Sequence, residues 1–357
     1  MIPPDSQRRA NLVGTGLIGG SVGLALRAQG WHVTGTDADD ERPARALTAG
    51  ALDAVGLDPD ADLTVVATPV GIIPEAALAA LATTRAPVTD VGSVKAPVVD
   101  AIADPRFVGG HPMAGSEQEG LEGARADLFE GATWVLTPTP TTDPGAYSVV
   151  HAVVASLGAE VVALPPERHD ALVAVVSHVP HLTAAALVRL AAEGPDDQHA
   201  MLRLAAGGFR DMTRVAAGHP GIWPDICGEN RGAIVPVLDR LVATITELRE
   251  VVAADDRAGL LALLEQARQS RRSLPGRVAR PSDLAEVRVP VPDRVGVLAE
   301  VTTLATDLGV NIYDLEIAHS GEGAKGVLLL LVESELADRL YGGLVARGYR
   351  PGVGRLE

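Results

Sequence analysis

The stretch LVGTGLIGGS, residues 12–21, decides the fold of the first part of this chain. Gly14, Gly16 and Gly19 form a G-x-G-x-x-G pattern between a short apolar run, which predicts a strand, and the helical run SVGLALRAQG. In that setting the first glycine permits a tight turn, the second lets the backbone approach a pyrophosphate, and the third lets the helix pack closely on the strand. The pattern therefore predicts a dinucleotide-binding loop at a helix N-terminus.

A carboxylate follows at the distance that such a loop requires. The segment VTGTD ends a second predicted strand at Asp37, 18 residues after Gly19. A carboxylate there accepts hydrogen bonds from a ribose 2′-hydroxyl and repels a 2′-phosphate, which favours NAD over NADP, although Arg42 offers a partner for a phosphate. The cofactor contacts that we expect are Gly14, Gly16, Leu17, Ile18, Gly19, Asp37, Thr68 and Pro69.

The first half of the chain alternates buried strands with helices. The runs ANLVG, HVTGTD, LTVVATP, APVTDVG and TWVLTP each read as a strand, and EVVALPPERHD, residues 160–170, reads as the last strand and the exit from the domain. This order predicts an α/β fold with a doubly wound parallel sheet, an NAD-binding Rossmann domain over residues 1–170.

Helical signals replace strand signals over residues 171–274, which predicts an all-α substrate and dimerisation domain. Its longest helix, roughly residues 225–254, carries a stripe suited either to an intrachain core or to a dimer interface. The stripe consists of Ile234, Leu238, Leu241, Ile245, Leu248 and Val252. PGRVARPSDL, residues 275–284, reads as a linker, and residues 285–357 predict a separate βαββαβ unit.

Composition and charge exclude several classes of protein. A chain of 357 residues favours two or three domains, and a net charge of −16 argues against nucleic acid and anionic membrane surfaces as partners. Cys227 stands alone, so neither an intrachain disulfide nor a cysteine zinc site is expected. With no apolar run that we judge long enough for a membrane span, we expect a soluble cytoplasmic protein.

Four polar clusters remain that a plain dinucleotide-binding core does not require. They are TDVGSVKAP, GGHPMAGSEQEG, SHVPHLTA and GGFRDMTRVA. Each has a structural explanation when taken alone: Ser93 as the N-cap of a helix that starts near Lys95, His111 as a cap in a glycine-rich loop, and His178 with His181 as satisfied core histidines.

Taken together and in this order, DVGSVK, HPMAGSE, SHVPH and GFRDMTR resemble the prephenate and arogenate dehydrogenases of tyrosine biosynthesis, the TyrA family. The resemblance covers roughly residues 10–273. It implies NAD-dependent oxidative decarboxylation, either of prephenate to 4-hydroxyphenylpyruvate or of arogenate to L-tyrosine. The family pattern makes His111 the acceptor of the ring hydroxyl proton, with Ser93 beside the same hydroxyl, and it requires no metal.

The substrate carries negative charge, so an acidic protein must place fixed cations in the pocket. Arg214 is the best candidate, because a guanidinium holds a carboxylate bidentately. The resemblance agrees and adds His181 as a polar neighbour. It also implies a pocket mouth, within one chain or across a homodimer interface, formed by Glu117, Arg210, Asp211 and Trp223; ordinary surface or packing roles for these four stay open.

The terminal unit resembles an ACT domain through PDRVGVLAEV and GVNIYDLEI. The resemblance implies that Asp293 and Gly296 approach a small amino acid, that Asn311 and Ile312 line the neighbouring interface, and that L-tyrosine is the effector. A purely structural pairing role for the unit is the alternative.

Two rival functions remain to be weighed. Dehydrogenases of the β-hydroxyacid or 6-phosphogluconate type rely on a lysine in or near the helical domain, and no lysine lies between Lys95 and Lys325. A non-catalytic NAD-binding sensor of amino acids would have lost His111, Ser93 or Arg214, and all three are present. Neither argument distinguishes prephenate from arogenate.

Overall fold

The computed structural model describes residues 7–115, 118, 120–192, 207–272, 284–292, 294–319 and 325–355. The chain divides into two compact units, residues 1–246 and 247–357, which we describe separately. Glu117, Asp293 and nearly all of the predicted linker lie outside the described residues.

The first unit is built on a large sheet. Within the described part its eight strands are β1 (Arg9–Val13), β2 (His32–Thr36), β3 (Ala54–Val55), β4 (Leu63–Val66), β5 (Val88–Asp90), β6 (Phe107–Pro112), β7 (Thr133–Thr137) and β8 (Glu160–Ala163). They lie in the order β3-β2-β1-β4-β5-β6-β7-β8. Neighbouring strands run parallel except β6 and β7, which are antiparallel. The predicted doubly wound Rossmann sheet is confirmed, with an antiparallel step that the sequence did not indicate.

The strand β6 corrects our interpretation of GGHPMAGSEQEG as a loop, because residues 109–112 are extended and pair with β7. The two glycines serve close packing there and do not form a turn. A Cβ on Gly109 would lie 2.4 Å from Thr137 Oγ1, and one on Gly110 would lie 2.6 Å from the Asp90 carbonyl oxygen. His111 therefore projects from a sheet strand.

Helices cover both faces of this sheet. They are α1 (Leu17–Ala28), α2 (Arg42–Thr48), α3 (Ile73–Thr83), α4 (Ala96–Asp100) and α5 (Pro144–Ser156). One apolar cluster joins α1 and α5 to the strands through residues such as Leu26, Val150 and Leu136. A second cluster, which includes Ile73 and Val98, packs α3 and α4 against the other face.

The helical region follows the sheet. It contains α6 (Pro166–Val173), a π-helical turn (Ala174–His178), α7 (Val179–Ala192), α8 (Gly207–Thr213), a 3-10 turn (Arg214–Ala217), α9 (Trp223–Glu229) and α10 (Arg231–Ala253). The helix predicted from 225 to 254 is thus divided at Asn230, whose side chain bonds to neighbouring helices. The predicted stripe is buried at Ile234 but exposed at Ile245 and Val252.

Sequence analysis underestimated the length of one apolar stretch in this region. Residues Pro166–Ala192 form a helical run that is long and apolar enough to cross a membrane by length and composition alone, with 28% of its most apolar window buried within the chain. That criterion is weak for a single helix, because core helices of other proteins meet it too. The same run contributes His169 and Asp170 to the buried network described below.

The second unit carries α11 (Arg257–Arg272) and a four-stranded sheet. The sheet and its helices are β9 (Leu284–Pro292), α12 (Val297–Asp307), β10 (Ile312–His319), β11 (Lys325–Glu333), α13 (Ser334–Ala346) and β12 (Gly352–Arg355). The strand order β10-β11-β9-β12 is antiparallel throughout, as the predicted βαββαβ unit requires. Alternate residues of β9, such as Val287 and Val289, pack on α12 and α13.

The tight packing at Gly109 leads to a stability prediction. In the variant Gly109→Ala the new methyl group would meet Thr137 Oγ1 at 2.4 Å and Val99 Cγ2 at 2.9 Å. We expect this overpacking to cost about 1–3 kcal/mol, which lowers the melting temperature by several degrees. Gly71→Ala is the matched control, because a Cβ at Gly71 meets nothing within 4 Å. Equal melting temperatures for the two variants would contradict the packing role.

Candidate active site

Four neighbouring parallel strands deliver the predicted cofactor and catalytic residues to one edge of the sheet. Gly14 follows β1, Thr68 follows β4, Ser93 follows β5 and His111 lies at the end of β6. These strands are adjacent in the order β1-β4-β5-β6 and run in the same direction. The carboxyl edge of such a sheet is where open α/β folds bind ligands.

The glycine loop has the close contacts that its sequence predicts. Gly14 has a φ of 98°, and a Cβ there would lie 2.4 Å from the Ala67 carbonyl oxygen. A Cβ on Gly19 would lie 2.0 Å from the Gly14 carbonyl oxygen, whereas one on Gly16 would meet nothing within 4 Å. The first and third glycines therefore pack the loop, and the second leaves space for a phosphate to approach the backbone.

Asp37 is tied to this loop. Its Oδ2 accepts hydrogen bonds from the backbone N–H of Thr15 at 2.8 Å and from the Thr15 hydroxyl at 3.1 Å. Its Oδ1 lies 3.6 Å from Arg42 Nη1, and Arg42 also contacts Asp39. Arg42 is thus already paired with carboxylates in this structure.

Of the remaining cofactor candidates, Leu17 lines the cavity beside the glycine loop, whereas Ile18, Thr68 and Pro69 are not among its lining residues. Leu17 and Ile18 begin α1 and pack partly on the core. Thr68 Oγ1 is buried and has no hydrogen-bond partner among the described residues, and Pro69 follows it. A cavity of about 400 Å³ is lined by Thr15, Gly16, Leu17, Arg42, Arg45, Gly120, Leu121 and Glu122. An open glycine, an unpaired hydroxyl and a carboxylate at the end of β2 fit a dinucleotide.

A chain of buried polar groups ends at His111. His111 Nδ1 lies 2.8 Å from His169 Nε2, and His169 Nδ1 lies 2.8 Å from Asp170 Oδ1. Because a carboxylate only accepts, His169 carries its proton on Nδ1, and its Nε2 then accepts the Nδ1 proton of His111. This assignment leaves a lone pair on His111 Nε2, the atom that can take up a proton.

The surroundings keep His111 neutral. Burial lowers the pKa of this partly buried imidazole well below its usual range, and the neighbouring His169, Lys95 and His178 lower it further. Burial likewise lowers the pKa of His178 to about 4. An unprotonated imidazole at neutral pH is the form that a proton acceptor needs.

Ser93 lies near this chain but does not cap a helix as the sequence suggested. The short helix α4 starts at Ala96, and its first N–H groups are taken by Asp170: Lys95 N donates to Oδ1 and Ala96 N to Oδ2, both at 2.8 Å. A carboxylate from α6 therefore replaces the predicted serine cap. The Ser93 side chain is partly exposed at the sheet edge.

His178 and His181 occupy different environments. His178 is buried, and its Nδ1 lies 3.1 Å from Asn230 Nδ2, which also donates to the Asp170 carbonyl oxygen. His178 is thus a satisfied core histidine. His181 stacks on Trp223 with ring centroids 3.6 Å apart and an interplanar angle of 14°, and partial burial lowers its pKa. Those two rings form an aromatic wall.

The other predicted substrate residues lie farther along the helical region. Arg210 and Asp211 are exposed on α8, and Arg214 is exposed on the turn that follows. Both α8 and this turn pack against α7, which carries His181. Arg214 and His181 therefore belong to one packed group of helices.

In the second unit, Gly296 N-caps α12 with a φ of 89°. It lines a cavity of about 240 Å³ between β9 and the start of α12. Asn311 and Ile312 stand at the start of β10 and are not among the residues that line this cavity.

Sequence reasoning missed five residues of the buried network: Asp90, Lys95, His169, Asp170 and Asn230. His169 and Asp170 lie in PERHD, which we interpreted as a domain exit, and this adjacent histidine–aspartate pair in the helix after the last strand was the available signal. Among the described residues, no group of three or more histidine, cysteine, aspartate or glutamate side chains is placed to hold a metal ion.

Comparison with known proteins identifies the family. Residues 22–163 match the family model for the nucleotide-binding domain of prephenate dehydrogenase, and residues 165–266 match the model for its dimerization domain. The prephenate dehydrogenase of Bacillus subtilis (strain 168) is 34% identical over 343 residues, which cover 91% of this chain and 92% of that protein.

Two solved structures share the fold of most of the chain. Prephenate dehydrogenase from A. aeolicus, in complex with hydroxyphenyl propionate and NAD+, has 31% identity and a TM-score of 0.70, covering 75% of this chain and 99% of its own. Synechocystis arogenate dehydrogenase has 30% identity and a TM-score of 0.65, covering 74% and 98%. The chain belongs to the prephenate dehydrogenase family and is an NAD-dependent dehydrogenase.

Proposed function

We propose that this protein is a prephenate dehydrogenase, which oxidises prephenate with NAD and releases CO2 to give 4-hydroxyphenylpyruvate. The observation that carries the proposal is the chain Asp170–His169–His111, which leaves a proton-accepting nitrogen at the edge of the sheet where the cofactor loop lies. The 34% identity to the B. subtilis relative over 91% of this chain supports the same substrate.

The role of His111 follows from the chemistry of the ring alcohol. NAD, when bound, accepts the hydride from ring carbon C4. His111 Nε2 takes the hydroxyl proton as the C4–O bond becomes a carbonyl. The bond from the ring to its carboxylate then breaks, CO2 leaves, and the released electron pair moves through the ring to the C4 oxygen. The ring becomes aromatic, and that oxygen takes up a proton to give the phenol. Ser93 orients the hydroxyl beside His111.

The helical region supplies the substrate contacts in this proposal. Arg214 holds a substrate carboxylate, since its planar guanidinium forms two parallel hydrogen bonds to such a group. His181, stacked on Trp223, gives a flat wall beside the ring. Arg210, Asp211 and Glu117 complete the pocket mouth.

Arogenate is the second candidate substrate. Its side chain carries an amino group where prephenate has a keto group, and the reacting ring is the same. The similarity to the Synechocystis arogenate dehydrogenase supports arogenate as the alternative substrate.

The division of the chain that we propose is a Rossmann domain over 1–170, a helical substrate and dimerisation domain over 171–274, a linker over 275–284 and an ACT domain over 285–357. Formation of a homodimer would cover apolar side chains on α10 and α11 that are exposed to water in the single chain. These side chains are Val235, Val242, Ile245, Val252, Leu261 and Leu264. The match to a dimerization-domain model over residues 165–266 supports the same conclusion.

The terminal domain binds L-tyrosine as an effector in this proposal. The antiparallel βαββαβ unit and the left-handed Gly296 at the start of α12 support a ligand loop that approaches a small amino acid closely. Asp293, Asn311 and Ile312 are the other contacts that we propose.

The first test compares initial rates of NADH formation by the purified protein with prephenate and with arogenate. We expect prephenate to be the faster substrate at equal concentration, and NAD to be preferred over NADP because Asp37 repels a 2′-phosphate. Faster turnover of arogenate would replace the first candidate with the second. No turnover of either would remove both.

The second prediction concerns His111. We expect His111→Asn to bind NAD normally and to lose at least about 100-fold in kcat, because general-base catalysis commonly contributes that much. In the unmodified enzyme the acid-side decrease in kcat/KM should lie below pH 6.5, the usual pKa of histidine. An imidazole with a lowered pKa stays neutral until the pH falls below that lowered pKa. His151→Asn, which changes a surface histidine of α5, is the control.

The third prediction concerns the effector. We expect L-tyrosine to raise the melting temperature and to inhibit turnover, and the variant Gly296→Ala to weaken both effects because alanine strains a φ of 89°. Gly309→Ala is the matched control: it has a φ of 65° in the same unit, at the other end of α12. If tyrosine changes neither quantity, or if both variants respond alike, the proposed effector site is wrong.

A further inference from the structure

A buried ion pair lies directly behind His111. Lys95 Nζ contacts Asp90 Oδ2, and both side chains have no exposed surface. Burying two charges costs several kcal/mol per ion before their attraction is counted, and an apolar pair of similar size often gives equal or greater stability. Stability alone is therefore a poor reason for this pair.

Both members of the ion pair form hydrogen bonds with one residue of β6, Gly110. The ladder between β5 and β6 ends at the match of Thr89 with Val108, so Gly110 lies beyond the last strand pairing on that side. Its N–H donates to Asp90 Oδ1 at 3.0 Å, and its carbonyl oxygen accepts from Lys95 Nζ at 2.8 Å. The ion pair thus replaces the missing ladder at the residue immediately before His111.

The backbone N–H of Lys95 binds Asp170, the carboxylate at the far end of the chain Asp170–His169–His111. Lys95 N donates to Asp170 Oδ1 at 2.8 Å, and the same oxygen lies 2.8 Å from His169 Nδ1. Lys95 therefore contacts both ends of the chain Asp170–His169–His111: its side chain binds the peptide group that precedes His111, and its backbone N–H binds the carboxylate that orients His169.

Lys95 also acts on His111 by charge. The titratable groups that act on the His111 imidazole are His169 from α6, His178 from the π-helical turn and Lys95 from the segment after β5. Two carboxylates lie one group farther away: Asp170 contacts His169, and Asp90 pairs with Lys95. A cation in this set favours the neutral form of the imidazole.

We propose that Lys95 is a positioning residue of the reaction, which holds His111 and His169 in line. The proposal rests on the role of His111 as proton acceptor given above. It assigns a function to a buried lysine that does not itself reach the substrate.

The test uses the full chain with three variants. Lys95→Met removes the cation and the bond to Gly110, and Lys95→Met/Asp90→Asn does so without leaving a buried carboxylate unpaired. Arg106→Met is the matched control, because Arg106 forms an ion pair with Asp104 and bonds to two carbonyl oxygens at the opposite end of β6. All rates are divided by the folded fraction, measured by NADH binding.

We expect both Lys95 variants to lose at least tenfold in kcat with little change in the KM for NAD, and Arg106→Met to stay within twofold of the unmodified enzyme. The acid limb of kcat/KM in Lys95→Met should move to higher pH, because loss of a nearby cation raises the pKa of His111. A purely structural lysine would lower the melting temperature and leave the corrected kcat and the pH limb unchanged, and that result would overturn the proposal.

A readout without turnover separates this proposal from the proposed function. Titration of His111 by NMR, with labelled histidine and His111→Asn for assignment, measures the same pKa directly. If neither ring substrate reacts but the pKa rises in Lys95→Met, the substrate assignment fails and the coupling of Lys95 to His111 stands. If the pKa is the same with and without Lys95, the coupling fails whatever the substrate is.

Discussion

The carboxylate of Asp170 is the constraint on which the rest of the site depends. It accepts hydrogen bonds from the N–H groups of Lys95 and Ala96 at the start of α4 and contacts His169 Nδ1, so it joins the sheet edge to the helical region. Because this acceptor fixes the tautomer of His169, it also fixes which nitrogen of His111 is free. A single buried group thus determines a helix start, two ring orientations and the atom available for chemistry.

Local features of the site could be read from the sequence because neighbouring residues make them. Gly14 and Gly19 pack within one strand–turn–helix unit, and the contacts of their absent Cβ atoms explain both glycines. Asp37 ends the next strand, and its bond to Thr15 follows from the pairing of β1 with β2. The alternation of Val287 and Val289 likewise predicts β9 from its own residues.

Features made by distant residues could not be read in this way. The glycines before His111 suggest a turn, and only the approach of Thr137 and Asp90 shows that they belong to a strand. Ser93 is a good N-cap by residue type, but a carboxylate 75 residues after Lys95 occupies the position. Polar residues after a strand, such as His169 and Asp170, have the pattern of a solvated helix start, and their burial depends on which helices pack over them.

The pair of histidines resolves a conflict that a single buried base would face. A low pKa keeps His111 ready to accept a proton, yet it also makes the protonated form costly once the proton has arrived. In the proposed reaction the proton enters at Nε2, and the bond from Nδ1 to His169 Nε2 lets the new charge be shared with the second ring. That ring contacts the Asp170 carboxylate, so the cation is stabilised two groups away from the hydroxyl that released it. The resting base stays neutral because burial, and then the neighbouring His169 and Lys95, lower its pKa. The charge that forms during turnover lies toward an anion that does not touch His111 directly.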